Sequence, residues 1–354
     1  MVFSSMIFLF VFLPVILFAY YVILQKDTHR NIFLLIASLV FYAWGEPIYV
    51  LLMIFSILIN FRLGILIDKY EANISMKKNI LIIGIISNLI FLFMFKYENF
   101  FVENINSTFN LAIDSLNLGL PIGISFFTFQ ALSYLIDVYR KTVPVQKNLV
   151  YLGLYIAFFP QLVAGPIVRY STIAEQIENR ISTIEQFNSG IKRFIIGVGK
   201  KIILANSFAL ISESSFGTDN ISVTFAWLGA IAYTLQIYFD FSGYSDMAIG
   251  LGRMFGFEFL ENFNYPYISK TITEFWRRWH ISLGSWFKDY VYFPLGGSRV
   301  NKKSRLIFNL FVVWFLTGVW HGAGWKFIAW GMLYFFILTF EKLTDLPKKL
   351  KTAN

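Results

Sequence analysis

Apolar runs long enough to cross a bilayer follow one another along the chain, and the short turns between them alternate between rich in Lys and Arg and empty of both. In hydrocarbon every backbone N–H and C=O must be satisfied without water, so a chain of this kind can span only as helices or as a closed barrel. A spanning helix needs about 20 apolar residues and a spanning strand about half as many. The runs have helical length, so the expected fold class is all-α, a polytopic integral membrane protein. Composition agrees: only 14% of the residues are charged and 57% are hydrophobic, against roughly 25% charged in a soluble domain.

The turns give an orientation. Lys26 to Arg30 holds two basic residues and Gly45-Glu46-Pro47 none; Arg62 to Lys78 holds four, and Glu98 to Asn117 none, carrying Glu98, Glu103 and Asp114 instead. Arg140, Lys141 and Lys147 follow. Basic loops stay cytoplasmic, so this alternation predicts five crossings ending near Val138 with the N-terminus outside. Val2 to Gln25 is apolar for longer than a signal h-region and has no basic segment before it, which predicts a retained first span. The net charge of +9 then belongs to orientation, and nucleic-acid binding is not expected.

Leu149 to Val168 breaks the alternation, because basic residues flank both of its ends. Pro160, Gly165 and Pro166 forbid a regular helix through it. A re-entrant segment from the cytoplasmic side and a Pro-kinked span are both compatible with the sequence. Phe187 to Ser212 reads as an outward crossing, Val223 to Gly250 as a return, and Arg253 to Arg305 as a long basic cytoplasmic stretch. Leu306 to Phe340, interrupted by His321 to Lys326, reads as a hairpin with Gly322 and Gly324 at its turn and Lys342, Lys348, Lys349 and Lys351 after it. One membrane-embedded domain over residues 1–354 is expected.

His321 stands in a charge-free run from Leu306 to Trp325, in a chain with three histidines. At 1.5 Å per residue it would lie about 24 Å from Arg305, deep in a core about 30 Å thick. An ionisable group there is a functional-site hypothesis by default. His280 falls on the apolar face of an amphipathic helix expected from Thr271 to Val291, with Trp276, Trp279, Leu283, Trp286 and Phe287. A histidine satisfied among interfacial tryptophans is its competing reading. Asp240 and Asp246 are expected to line a polar cavity, with pairing to nearby Arg or Lys as the alternative. His29 reads as solvated.

Other patterns are weak. Gly250-Leu251-Gly252-Arg253-Met254-Phe255-Gly256 and Gly197-Val198-Gly199-Lys200-Lys201 miss the dinucleotide and phosphate-loop spacings. Asn73, Asn106 and Asn220 open Asn-x-Ser/Thr triplets that mean little alone. The chain has no cysteine, which excludes a thiol nucleophile, and with three scattered histidines no metal site is expected.

Six ordered blocks resemble a known family: Pro160-Gln161-Leu162-Val163-Ala164-Gly165-Pro166-Ile167, Asp240 to Ala248, Asn262 to Tyr267, Phe275 to Leu283, Pro294-Leu295-Gly296-Gly297 and Gly318-Val319-Trp320-His321-Gly322-Ala323. Together they are similar to the bacterial membrane-bound O-acyltransferases (MBOAT), above all the alginate O-acetyltransferase type. The resemblance implies a ring of helices around a thin centre crossed by a tunnel, with acetyl-CoA as acyl donor and no bound cofactor. It implies a cell-surface polysaccharide as acceptor, with an extracytoplasmic SGNH-hydrolase-like acyltransferase as partner. His321 matches the family's catalytic histidine and His280 an upstream motif position. Asp240, Asp246, Tyr244, Trp276, Trp279 and Trp320 become candidates to line the substrate path, and Arg277, Arg278, Lys288 and Arg299 candidates for the donor phosphates. An imidazole that stays neutral can take the proton of an attacking hydroxyl. Many family members continue through further helices beyond the histidine hairpin, whereas this sequence stops at Asn354. D-alanyl transfer to teichoic acid is the alternative within the class, and an ion or proton-coupled transporter using Asp240, Asp246 and His321 the alternative outside it.

Overall fold

Asn, Ser and Thr ahead of apolar runs start several of the helices. The side chain of Asn73 accepts from the Met76 N–H, Asn148 from Val150, Thr183 from Gln186, Ser222 from Phe225 and Thr271 from Glu274. Each takes one of the first-turn donors that a helix leaves unbonded. The computed structural model describes residues 1–163, 165–218 and 221–346. Ala164, Asn220, Lys348, Lys349 and Lys351 therefore lie outside the described residues. Among the described residues the regular elements are all helical, as the apolar runs predict.

In chain order they are α1 (Leu13–Phe18, between π-helical turns at Phe8–Phe12 and Ala19–Ile23), α2 (Asp27–Ala43), α3 (Tyr49–Lys69), α4 (Ile74–Lys96), α5 (Glu98–Phe109), α6 (Ile124–Arg140), α7 (Leu149–Ala157) and α8 (Phe159–Leu162). Then come α9 (Tyr170–Glu178), α10 (Ile184–Gly199), a π-helical stretch (Lys200–Ala205), α11 (Asn206–Phe216), α12 (Val223–Met254), α13 (Ile272–Arg278), α14 (Ile281–Phe287), α15 (Lys303–His321) and α16 (Trp325–Leu343). Among the described residues, four stretches are long and apolar enough to cross a membrane: α3, α4, the continuous run Ile184–Phe216, and α15. The protein is a multi-pass membrane protein.

The chain forms two compact units, one of residues 1–58 and 146–261, the other of residues 59–145 and 262–354. In the first, α10 runs against the 32-residue α12, about 48 Å long. Glycines let their backbones touch: a Cβ on Gly197 would lie 2.6 Å from Gly243 O, and one on Gly190 2.6 Å from Gly250 O. Small residues at a helix crossing are the usual means of close approach in lipid, where apolar burial no longer drives association. The glycine patterns that fail as nucleotide motifs are thus packing surfaces.

The Leu149–Val168 run is interrupted at Phe158 (ψ 113°), ahead of Pro160, so it is not one kinked helix. Its freed groups are satisfied by side chains. Phe159 N donates to Ser38 Oγ at 3.1 Å, Gln161 Nε2 to Tyr155 O at 2.5 Å, and Tyr155 Oη to Val168 O at 3.1 Å. Broken backbone is tolerated at membrane depth only where protein groups cover it in this way.

In the second unit the part of α3 from Ile59 onward is joined to α4 by a reciprocal pair of buried amides, Asn60 Nδ2 to Asn88 Oδ1 at 3.1 Å and Asn88 Nδ2 to Asn60 Oδ1 at 2.8 Å. The expected hairpin is present as α15 and α16. Gly318 and Gly331 face each other across it, and a Cβ on either would come within 2.6 Å of a backbone oxygen of the opposite helix. Gly322 and Gly324 are extended (φ 179° and 174°) and make no left-handed turn. What holds position 322 to glycine is space, since a Cβ there would meet the Phe327 ring at 2.2 Å.

Candidate active site

The amphipathic helix expected from Thr271 to Val291 is broken in the middle. α13 ends at Arg278, Trp279 is extended (φ −103°, ψ 129°), and His280 sits in the left-handed region (φ 46°, ψ 52°) before α14 begins. The Asn262–Asn264 backbone causes the break: Ile281 N donates to Asn262 O at 3.0 Å, and Asn264 N donates to Arg278 O at 2.9 Å. A non-glycine residue held at positive φ costs energy and is found where surroundings over-determine it, often at functional sites.

The break buries His280, which is 3% exposed. Asn262 Oδ1 accepts from Ser282 N at 3.2 Å and from Ser282 Oγ at 2.9 Å, and stands 3.2 Å from His280 Nδ1. An oxygen facing Nδ1 places the proton there and leaves Nε2 as the acceptor. Burial, and after it the neighbouring His321, push the His280 imidazole down to about 3.

α15 presents His321 at its last position. The imidazole packs edge-on against Trp320 (ring centroids 5.0 Å apart) and Trp330 (4.6 Å). Trp320 also lies 5.9 Å from the His280 ring, so one indole serves both histidines. Behind Trp330 the aromatic wall continues through Trp276 at 5.6 Å, which in turn meets Trp314 at 5.0 Å and Tyr334 at 4.9 Å. His321 Nε2, Trp320 Nε1 and Trp276 Nε1 are buried without a hydrogen-bond partner among the described residues. Native interiors leave few polar atoms in this state, and each calls for an explanation.

A cavity of about 450 Å³ opens beside this wall, lined by His280, Trp276, Trp314 and Thr317 and by the basic residues Arg277, Lys288 and Lys342. His321 does not line it; Trp330, packed on both His321 and Trp276, is the ring next to it. Among the predicted residues the structure therefore brings His321, His280, Trp276, Trp320, Arg277 and Lys288 into one neighbourhood. Trp279 packs on Phe263 (5.0 Å) and Phe275 (5.6 Å). Arg278 pairs with Glu274 at 2.9 Å and donates to Asn264 O at 3.1 Å, and Arg299 is exposed; neither lines the cavity.

Three predicted residues belong to the other unit. Asp246 accepts from Arg193 at 2.9 Å and Lys200 at 2.6 Å, and Asp240 pairs with Lys201 at 2.6 Å. Arg193 also holds Glu261, whose carboxyl is kept below the usual range by that hydrogen bond. Tyr244 stacks on Phe3 at 4.8 Å. Pairing, the alternative reading for the two aspartates, is what the first unit contains.

Several residues of the site carry no signal in the sequence analysis. Lys96 follows an apolar run directly and reads as an ordinary boundary charge, yet it reaches Trp320 O. Trp314 on α15 and Trp330 on α16 read as ordinary core residues, and Asn262 and Lys342, seen only as part of a block and as a loop charge, join the site through the fold. Glu341, buried on α16, accepts from the N–H groups of Ile272 and Thr273, both at 2.8 Å, and so caps the start of α13.

Fold and site together define an all-helical, multi-pass membrane protein that carries a histidine at the tip of a helical hairpin. The MBOAT, membrane-bound O-acyltransferase family, matches residues 36–346, and the chain belongs to that family as an O-acyltransferase. It is 45% identical, over 100% of its length and 68% of the relative's, to the probable alginate O-acetylase AlgI of Pseudomonas syringae pv. tomato, and 46% identical with the same coverage to that of Pseudomonas aeruginosa. It is 36% identical to the peptidoglycan O-acetyltransferase of Helicobacter pylori, over 94% of this chain and 69% of that protein.

Proposed function

We propose that the protein moves acetyl groups from acetyl-CoA on the cytoplasmic side, across the membrane, for O-acetylation of a cell-surface polysaccharide such as alginate. It would lie in the cytoplasmic membrane with its N-terminus outside, as the alternating basic loops favour, and would hand the group on through an extracytoplasmic SGNH-hydrolase-like acyltransferase. The names of the similar alginate and peptidoglycan O-acetylating proteins support acetyl as the group carried.

The observation that carries the reading is the buried Nε2 of His321, with no hydrogen-bond partner among the described residues. Such an atom is suited to accept the proton of an acceptor hydroxyl as its oxygen attacks the thioester carbonyl. The new C–O bond forms, the C–S bond breaks, and the thiolate recovers a proton from the imidazolium as free CoA. General-base assistance of this kind contributes about 10² to 10⁴-fold in rate. His280, hydrogen-bonded through Asn262 and separated from His321 by Trp320, is assigned to shaping the site. Arg277, Lys288 and Lys342 give the neighbouring cavity the positive charge that donor phosphates need.

The test is base-releasable acetate on surface polysaccharide from cells expressing wild type or His321→Ala, with the protein quantified in purified membranes. Wild-type acetylation, and acetylation lowered by about 10² to 10⁴-fold in a variant present at wild-type amounts, is the expected result. Equal acetylation by the two would remove His321 from the chemistry, and label transferred from a D-alanyl carrier but not from acetyl-CoA would change the donor.

A further inference from the structure

A helix that ends inside an apolar bundle leaves its last four carbonyls without backbone donors, and buried carbonyls need partners. α15 ends at His321, and the extended Gly322 (φ 179°, ψ 160°) gives it no left-handed closing turn. The two carbonyls before the histidine are taken by side chains from elsewhere. Tyr97 Oη donates to Val319 O at 2.8 Å, and Lys96 Nζ donates to Trp320 O. These two donors are consecutive residues at the end of α4. Lys96 also donates to Ser125 Oγ at 3.1 Å, in the first turn of α6, and lies 5.5 Å from the centroid of the Trp320 ring.

Lys96 makes no ion pair among the described residues. A cation at the end of a spanning helix with no counter-ion is expensive. Its compensation here is a helix C-terminus, whose partial negative charge favours a cation, a hydroxyl and an indole face. Capping alone would be met by a neutral donor, as Tyr97 shows one residue on.

We infer that Lys96 and Tyr97 are positioning residues that clamp the end of α15 and so hold the His321 imidazole in place for transfer. The inference rests on the role of His321 proposed above. Displacing a catalytic group by about 1 Å can cost on the order of 10²-fold, so the clamp acts on turnover and leaves donor binding nearly unchanged.

The experiment uses the full chain in membranes with its natural partner, acetyl-CoA as the probe, and Lys96→Met, Lys96→Arg and Tyr97→Phe. Lys96→Met is expected to lower kcat by about 10- to 100-fold with KM for acetyl-CoA within about twofold. Lys96→Arg, which keeps the charge and the donors, is expected to restore most of the loss. Tyr97→Phe removes a single oxygen and should cost about three- to tenfold in kcat. Hydrogen exchange reads the clamp without any donor: amides of residues 318–323 should exchange faster in Lys96→Met and Tyr97→Phe, with the rest of α15 unchanged. Unchanged exchange in both variants, or wild-type kcat in Lys96→Met, overturns the inference. A wild type that never transfers from acetyl-CoA but loses protection in the variants overturns the donor assignment and leaves the clamp standing.

Discussion

Both units bury some polar atoms without partners among the described residues, but the candidate residues of each differ: the aspartates of the first are tightly ion-paired, while the His321 and indole nitrogens of the second are not hydrogen-bonded. In the first, Asp246 answers both Arg193 at 2.9 Å and Lys200 at 2.6 Å, Asp240 pairs with Lys201 at 2.6 Å, and Glu261 pairs with Arg193. In the second, His321 Nε2, Trp276 Nε1 and Trp320 Nε1 are buried with no partner among the described residues, and Lys96 has a helix end in place of a counter-ion. A buried charge that already has its partner is costly to unpair and has little left to offer a substrate. Unpaired buried groups persist only where the surrounding fold sustains them, and they retain their full capacity for a ligand. The contrast supports the proposal that the chemistry belongs to the second unit and that Asp240 and Asp246 serve the scaffold of the first.

That division breaks if the largest expected effect is missing. Transfer by His321→Ala should fall by about 10² to 10⁴-fold, measured as acetate on surface polysaccharide per unit of protein in the membrane. Asp246→Asn should do the reverse. It leaves Arg193 and Lys200 without their shared acid, so stability should drop by about 3 kcal/mol, read as a lower melting temperature in detergent, while kcat per folded molecule stays within about twofold. A large kcat loss at wild-type stability would move Asp246 into the active machinery and erase the contrast.

The same contrast explains what the sequence makes legible. Run length and loop charge lead directly to an all-helical membrane protein, because the bilayer leaves few alternatives. His321 is visible because one ionisable residue in a charge-free run has no ordinary reason to be there. The break at Trp279 and His280 is hidden: no Gly or Pro marks it, the residues keep helical spacing, and its cause is a backbone pairing with Asn262 and Asn264 far back in the chain. Lys96 is hidden for a different reason. At the edge of an apolar run a lysine is indistinguishable from an anchor until Trp320 O is found against it. Asp240 and Asp246 show the converse limit, since a carboxylate in a span looks alike whether it lines a path or neutralises a lysine one or two turns away on the next helix.

His280 sharpens the comparison, because it is buried and bonded yet stands in the same unit as the unpaired His321 nitrogen. Its imidazole is pushed from 6.5 down to about 3 by burial first, so the unfolded chain binds a proton near pH 6.5 that the folded chain refuses. Stability is therefore full above pH 6.5 and is lost as pH falls toward 3. Between pH 6.5 and 5 the loss from this group is about 2 kcal/mol. His280→Asn, with a side chain that tolerates the left-handed backbone, should flatten that part of the pH–stability curve measured by thermal unfolding. An equally steep curve in the variant would place the acid sensitivity elsewhere.

The smallest effect belongs to Asp240→Asn. Its partner Lys201 lies 2.6 Å away, but the Asp240 side chain is 44% exposed against 14% for Asp246, and an exposed pair is worth about 0 to 1 kcal/mol. The variant should melt within a degree or two of wild type and transfer at the wild-type rate, with Asp246→Asn beside it as the steep case. If Asp240→Asn instead abolishes transfer while the protein stays folded, a carboxylate of the first unit is working on substrate or protons. The separation of scaffold from chemistry would then have to be redrawn around the α12 helix.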